Sequence, residues 1–331
     1  MDVAALPKIE LHLHLDCSVS WSVAQKVYPG LSLTDYRQQF VAPPKCRDLA
    51  DFLTRAKRGY RILQTPEMLR LATDDLFDQL LEDRVRYAEI RLAPLLHTRE
   101  GLSAEAVAET VLAAGKAAEA RTGISHRFIF CTLRRFSQGQ SLQTVRLVER
   151  YRSQGVGGFD IAGDEAGYPL GPHLPAFQYA RTYGIPVTMH AGEARGADSV
   201  REAINEGHTL RLGHGVRAWE DPELMTVLKA REVHFEVCPT SNVQTNVFAT
   251  LPDHPVDRMY RAGHALSINT DGRALVGVSL NDEYRNLQRV FGWQWPQFLY
   301  VNRKAVQAAF LAEAEKAELQ QQLEVDWARY S

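Results

Sequence analysis

The histidines and carboxylates of this sequence gather at a few short apolar stretches. His12 and His14 alternate with leucines in LHLHLD, His190 and Glu193 lie in MHAGE, His214 in RLGHG and Asp271 in INTDG. An extended chain sends residues i and i+2 to the same side, so His12 and His14 present two imidazoles together. Three neutral imidazoles and a carboxylate suit a borderline cation such as Zn²⁺ and leave a position for water. A cation held this way lowers the pKa of its water toward ~7, giving a hydroxide at neutral pH. A neighbouring group must steer or accept the water proton, and an acid must protonate the leaving side of the substrate. Glu193 fits the acid, since burial against apolar walls raises a carboxyl into the useful range. Spacing alone does not choose which three histidines are ligands. The chemistry is hydrolysis at an electrophilic carbon, with amide- or amidine-like centres as targets.

Such residues work only if their strands converge. Eight short β-rich runs recur: Lys8–Leu15, Tyr87–Pro94, Arg127–Leu133, Gly157–Gly163, Ile185–Gly192, Arg211–Val216, Val233–Ser241 and Ala265–Gly272. Amphipathic segments such as Ala104–Arg121, Leu142–Ser153 and Asp221–Ala230 lie between them. Strand–helix alternation repeated eight times predicts an α/β fold, the (β/α)8 TIM barrel, as one domain over residues 1–331. The chemistry-bearing residues then fall at strand C-terminal ends, which converge on one face. No GxGxxG or GxxxxGK[ST] follows a strand, which removes the nucleotide fingerprints of an open doubly wound sheet. About seventy residues, 17–86, separate the first two strands and contain two helix-like stretches. An insertion there lands on the catalytic face, covering the site or forming an outer helical layer. The tail from Arg303 to Leu323 is expected to be a terminal helix pair.

A formal charge of −2 gives no electrostatic reason for nucleic-acid or anionic-membrane binding. No run approaches ~20 apolar residues, so no membrane span is expected. The start, MDVAALPKIELHLHLD, lacks a basic region followed by an apolar one, so a cytoplasmic protein is expected. Cys17, Cys46, Cys131 and Cys238 are scattered without a CxxC pair and are expected to be reduced thiols.

The motifs LHLHLD, GFDIAGDE, MHAGE, RLGHG, EVCPTSN and SINTD resemble, in order, those of the adenosine and AMP deaminases of the amidohydrolase superfamily. The resemblance runs from about Pro7 to Leu280. It implies one zinc per chain, with His12, His14, His190 and Asp271 as ligands, His14 also facing the substrate. It further implies that Glu193 protonates a purine ring nitrogen and that His214 orients or deprotonates the attacking water. The Gly163 main chain would approach the purine, and Asp16 would bond a sugar hydroxyl. The implied reaction is hydrolytic deamination at C6 of a small-molecule purine nucleoside, adenosine or 2′-deoxyadenosine, with a modified adenine nucleoside or free adenine as alternatives. Oligomeric state is not legible.

Two departures from the family pattern stand out. Its Gly after LD is Cys17, and the second Asp of its TDD is Gly272, followed by Arg273. Gly272 loses a polar contact at the purine five-membered ring and is expected to open space, so Gly272→Asp is expected to raise turnover. Arg273 is read as a solvated loop residue. Three other readings do less well. A binuclear amidohydrolase needs a bridging lysine or carboxylate at strand four, where FDIAG lacks lysine. The other deaminase architecture needs HxE and PCxxC, which are absent. A non-catalytic nucleoside binder should have lost a ligand or the acid.

Overall fold

The structure is a computed structural model that describes residues 2–328. Its eight parallel strands are β1 (Lys8–His14), β2 (Val85–Leu92), β3 (Ser125–Leu133), β4 (Val156–Ala162), β5 (Met189–Ala191), β6 (Arg211–His214), β7 (His234–Val237) and β8 (Leu266–Ile268). They form two ladders, β1–β4 and β5–β8. Single bridges close the ring, Phe159 to Val187 and Leu13 to Asp271. The architecture is the expected (β/α)8 barrel. Strands β5, β7 and β8 are shorter than the apolar runs suggested. Pro186 has no N–H for a ladder, and Pro239 starts a helix over Pro239–Gln244. Beyond β8, Asp271 turns left-handed at φ 64°. In β7 and β8 the run continues past the ladder into the functional end of the strand, whereas β5 is shortened at its start.

Helices start and stop where their caps dictate. The helix Ala104–Thr122 begins with the Ser103 side chain accepting from Ala106 N–H and ends at Gly123, φ 72°. The expected terminal pair is present with shifted bounds, Trp295–Ala308 and Glu313–Trp327. No described helix is long and apolar enough to cross a membrane. All four cysteines are free.

The insertion holds four helices, α1 (Trp21–Val27), α2 (Leu33–Phe40), α3 (Leu49–Ile62) and α4 (Pro66–Glu82). Both expected roles occur. The helix α4 packs outside against Ala104–Thr122, while α3 sends Leu49, Phe52 and Leu53 over the barrel mouth. Gly59 fixes α3 in place. A Cβ there would lie 1.9 Å from the Asp16 carbonyl oxygen, so α3 rests directly on the turn after β1. His97 Nδ1 donates to Leu63 O at 2.8 Å and Gln64 Nε2 to Leu96 O at 3.0 Å, tying the end of α3 to the loop after β2.

Charged side chains occupy much of the barrel interior. Glu10, Glu89, Arg91, Asp160, Arg211 and Glu236 are all buried. Arg211 donates to Glu89 and Glu236 and lies 3.8 Å from the Phe310 ring centre. A buried ion pair gives little net stability over an apolar core, but losing one partner strands the other charge. The interior is therefore organised by pairing, and its pairs lead to the histidines.

Candidate active site

His12 and His14 leave β1 on one side, His190 sits on β5, and His214 ends β6 at φ 60°. Asp271 follows β8, held by the closing bridge through His14 N–H to Asp271 O (2.7 Å) and Asp271 N–H to His12 O (3.0 Å). Left-handed backbone at two non-glycine residues is uncommon and here turns both side chains inward. One ligand atom from each of His12, His190, His214 and Asp271 falls within 4.8 Å of the others. His14 joins them: its Nε2 is 3.2 Å from His190 Nε2 and 3.5 Å from Asp271 Oδ1. The chain thus brings together all five residues that the sequence nominated around a metal. Glu193 lies alongside, with Oε2 3.5 Å from His214 Nε2.

A layer of carboxylates behind the imidazoles escaped the sequence reading. His12 Nδ1 meets Glu236 Oε2 at 2.9 Å, and His190 Nδ1 meets Asp160 Oδ2 at 3.0 Å. Carboxylates only accept, so each Nδ1 carries a proton and each Nε2 is turned into the cluster. Arg91 joins both carboxylates, giving Nε to Asp160 at 2.9 Å and Nη2 to Glu236. Despite burial, Arg91 (with Arg211 at Glu236) and the hydrogen bonds from His190 and His12 hold Asp160 and Glu236 below the usual carboxylate range. Burial keeps His14 and His214 neutral. Asp160 and Glu236 sit inside GFDIAGDE and EVCPTSN. The available signal was a carboxylate within an otherwise apolar strand.

The donor set fits a metal ion. His12 Nε2 is buried with no hydrogen-bond partner, and the Nε2 atoms of His14 and His190 face each other 3.2 Å apart. That spacing is about what two nitrogens sharing a tetrahedral zinc at ~2.0–2.1 Å would show. The cluster opens into a cavity of about 310 Å³ lined by Asp16, Cys17, Phe52, Gly163, Tyr168 and Glu193, among others. Its size suits a small organic molecule. Gly163, at φ 99°, leaves its Cβ side open toward this space, with nothing nearer than Arg134 N at 3.7 Å. Burial pushes the Asp16 carboxyl up to about 6. Glu165, unassigned from sequence, accepts from the N–H groups of Gly192 (2.7 Å), Glu193 (3.0 Å) and Arg195 (2.9 Å) and fixes the turn that carries Glu193.

The family model described as adenosine deaminase matches residues 7–326. The chain is 36% identical over 328 residues to an adenosine deaminase of Enterococcus faecalis, covering 97% of each. It belongs to the adenosine deaminase family. Among solved structures it resembles an adenine deaminase from Arthrobacter aurescens, with TM-score 0.88 and 26% identity over 98% of this chain and 99% of that one. A zinc-bound amidohydrolase from Burkholderia ambifaria shares the fold, with TM-score 0.88 and 21% identity over 99% and 92%. As a member of the adenosine deaminase family, the chain is an amidohydrolase that acts on C–N bonds.

The departures from the family pattern turn out to be coupled. A Cβ on Gly272 would lie 2.5 Å from Cys17 Cβ, 3.1 Å from Cys17 O and 3.4 Å from Leu275 Cβ. Gly272 therefore opens no space, contrary to expectation, because Cys17 fills it. Only one of the two positions has room for a side chain. In this adenosine deaminase family member Gly272→Asp alone should lose about 1–3 kcal/mol of stability through overpacking. Cys17→Gly/Gly272→Asp should recover most of that loss. Thermal denaturation of the two variants checks this, and equal losses would remove the coupling. Arg273 also differs from expectation. It is buried, reaching Glu10 and Asp83 at 2.6 Å each, and it anchors the loop after β8 to β1 and the end of α4.

Proposed function

We propose that this chain is a zinc-dependent hydrolytic deaminase of an adenine nucleoside, adenosine foremost. The observation that carries this reading is the placement of Glu193 beside His214 and the converged donors, in one cavity with Asp16. His12, His14, His190 and Asp271 would hold the zinc, which supplies Lewis-acid activation of a water when bound. Glu193 gives a proton to the ring nitrogen next to C6 as water adds to C6. His214 orients or deprotonates that water. The proton that the water releases, taken up by His214 or Asp271, passes to the amine as the C6–N bond breaks, and the new C6 hydroxyl returns a proton to Glu193, so the products are the hypoxanthine nucleoside and ammonia. The Gly163 main chain receives the purine, and His14 closes the metal side of the pocket. Asp16 takes a hydrogen bond from a sugar hydroxyl.

The Arthrobacter neighbour's activity favours free adenine, whereas the Enterococcus relative's favours adenosine. Asp16 supports the nucleoside, because a free base offers it no hydroxyl. Ammonia release across adenosine, 2′-deoxyadenosine, adenine and ribose- or N6-modified relatives tests the reading. We expect fast turnover of adenosine, abolished by a chelator and restored by zinc. Turnover of adenine alone would move the substrate. Adenosine turnover that survives metal removal would overturn the metal's role.

A further inference from the structure

His214 has a different hydrogen-bonding environment from its neighbours, and the difference can be traced to a backbone amide. Val256 N–H donates to His254 Nδ1 at 3.1 Å. A backbone N–H is always a donor, so His254 Nδ1 carries a lone pair and the proton of this neutral ring sits on Nε2. Burial holds His254 down at about 3, so the ring is neutral at working pH. His254 Nε2 lies 3.2 Å from Asn242 Oδ1, which accepts that proton's hydrogen bond. The other side of the amide, Asn242 Nδ2, then donates to His214 Nδ1 at 3.1 Å. His214 Nδ1 is therefore the acceptor, and its proton sits on Nε2, the nitrogen facing Glu193 and the metal-site donors.

His12 and His190 are set the other way. Their Nδ1 atoms face carboxylates, so there the proton is on Nδ1 and Nε2 is the atom left to meet a metal. The outer partners thus set His214 apart from His12 and His190 in which ring nitrogen carries a proton. His214, His254 and Asn242 are all buried, so water does not scramble the order. The His254 ring is also held by Phe248, with ring centres 4.8 Å apart.

We infer that Val256 N–H, His254 and Asn242 form a directed relay that locks His214 as a hydrogen-bond donor through Nε2. His214 then gives a hydrogen bond to the attacking oxygen and takes no proton from it; the proton that this oxygen releases goes to the Asp271 carboxylate in the same cluster. Of the two roles open to His214, orienting the water or deprotonating it, the relay selects the first. Asn242 and His254 are positioning residues, since neither touches the cavity. This inference rests on the deaminase reading for its consequence, but not for its spectroscopic test.

Nitrogen-15 NMR of histidine-labelled, zinc-loaded protein reads the tautomer directly, with His214 assigned by its loss in His214→Gln. We expect the proton on Nε2 and an unprotonated Nδ1. Asn242→Asp should reverse the order, because its carboxylate accepts from both rings and draws the His214 proton to Nδ1. Its kcat should fall by about 100-fold with KM within about threefold, the size of a lost positioned proton donor. A wild-type spectrum with the proton on Nδ1 would overturn the relay, and so would an Asn242→Asp variant that keeps both tautomer and kcat. If Asn242→Asp does not fold, the wild-type spectrum decides alone. An Nε2–H spectrum in a protein inactive on every nucleoside would uphold the relay and remove the nucleoside reading.

Discussion

Glu193→Gln should keep its zinc and its fold while losing about 10²–10⁴-fold in kcat, the usual worth of a placed general acid. The side chain is buried, and Thr245 donates to its Oε1 at 3.3 Å. Glutamine matches its volume and can keep that bond through its own carbonyl, so packing survives. What disappears is a proton. Burial, with Asp271 and Glu165 nearby, holds the Glu193 carboxyl well above the usual range, so it stays protonated where an exposed glutamate would be ionised. The sign follows: the acid form is present below its raised pKa, and activity falls on the basic side as that proton is lost. In Glu193→Gln that basic limb should vanish along with the rate. Metal content, kcat and a pH profile check the set. A glutamine variant with near-normal kcat would take Glu193 out of its role.

Arg91→Met should be the most damaging change outside the cavity. Arg91 is fully buried and serves Asp160 and Glu236 together, each of which holds the Nδ1 of a clustered histidine. Removing it leaves two carboxylates less well compensated in the barrel, and breaking such a buried pair costs about 3–5 kcal/mol. Zinc affinity should also fall about 10–100-fold, since the carboxylates that aim the imidazoles lose their own anchor. Arg91→Lys should fare little better, because a single ammonium cannot present the planar fork that meets two carboxylates. Chelator competition and denaturant unfolding measure the two effects separately. Lost stability with unchanged zinc affinity would make Arg91 a purely structural residue.

Much of this was legible in the sequence, for physical reasons that differ by element. The eight strands were visible because parallel strands buried on both faces read as apolar runs. Their C-terminal bounds were blurred because the same runs continue into the functional turns, as at Cys238-Pro239. His12, His14, His190, His214 and Asp271 were found together because strand ends converge in any closed barrel. Asp160, Glu236 and Arg91 were missed because a charged residue inside a strand gives no local sign of its partner, which lies 69 residues from Arg91 for Asp160 and 145 for Glu236. Cys17 and Gly272 were each noticed, but only their 2.5 Å relation shows that they are one change. Arg273 was misjudged because Glu10 and Asp83 are distant in sequence.

The closing bridge between Leu13 and Asp271 also has a consequence for synthesis. Asn269 accepts from the N–H of Leu11, 258 residues earlier, and of His12, so the opening strand is completed by the last barrel strand. A chain emerging from the ribosome exposes His12 and His14 long before Asp271 exists to join them. No growing chain that stops short of Asp271 can carry the full set of donors. Catalytic competence is thus acquired in one late step, when the ring shuts, and an active molecule certifies that its own barrel is finished.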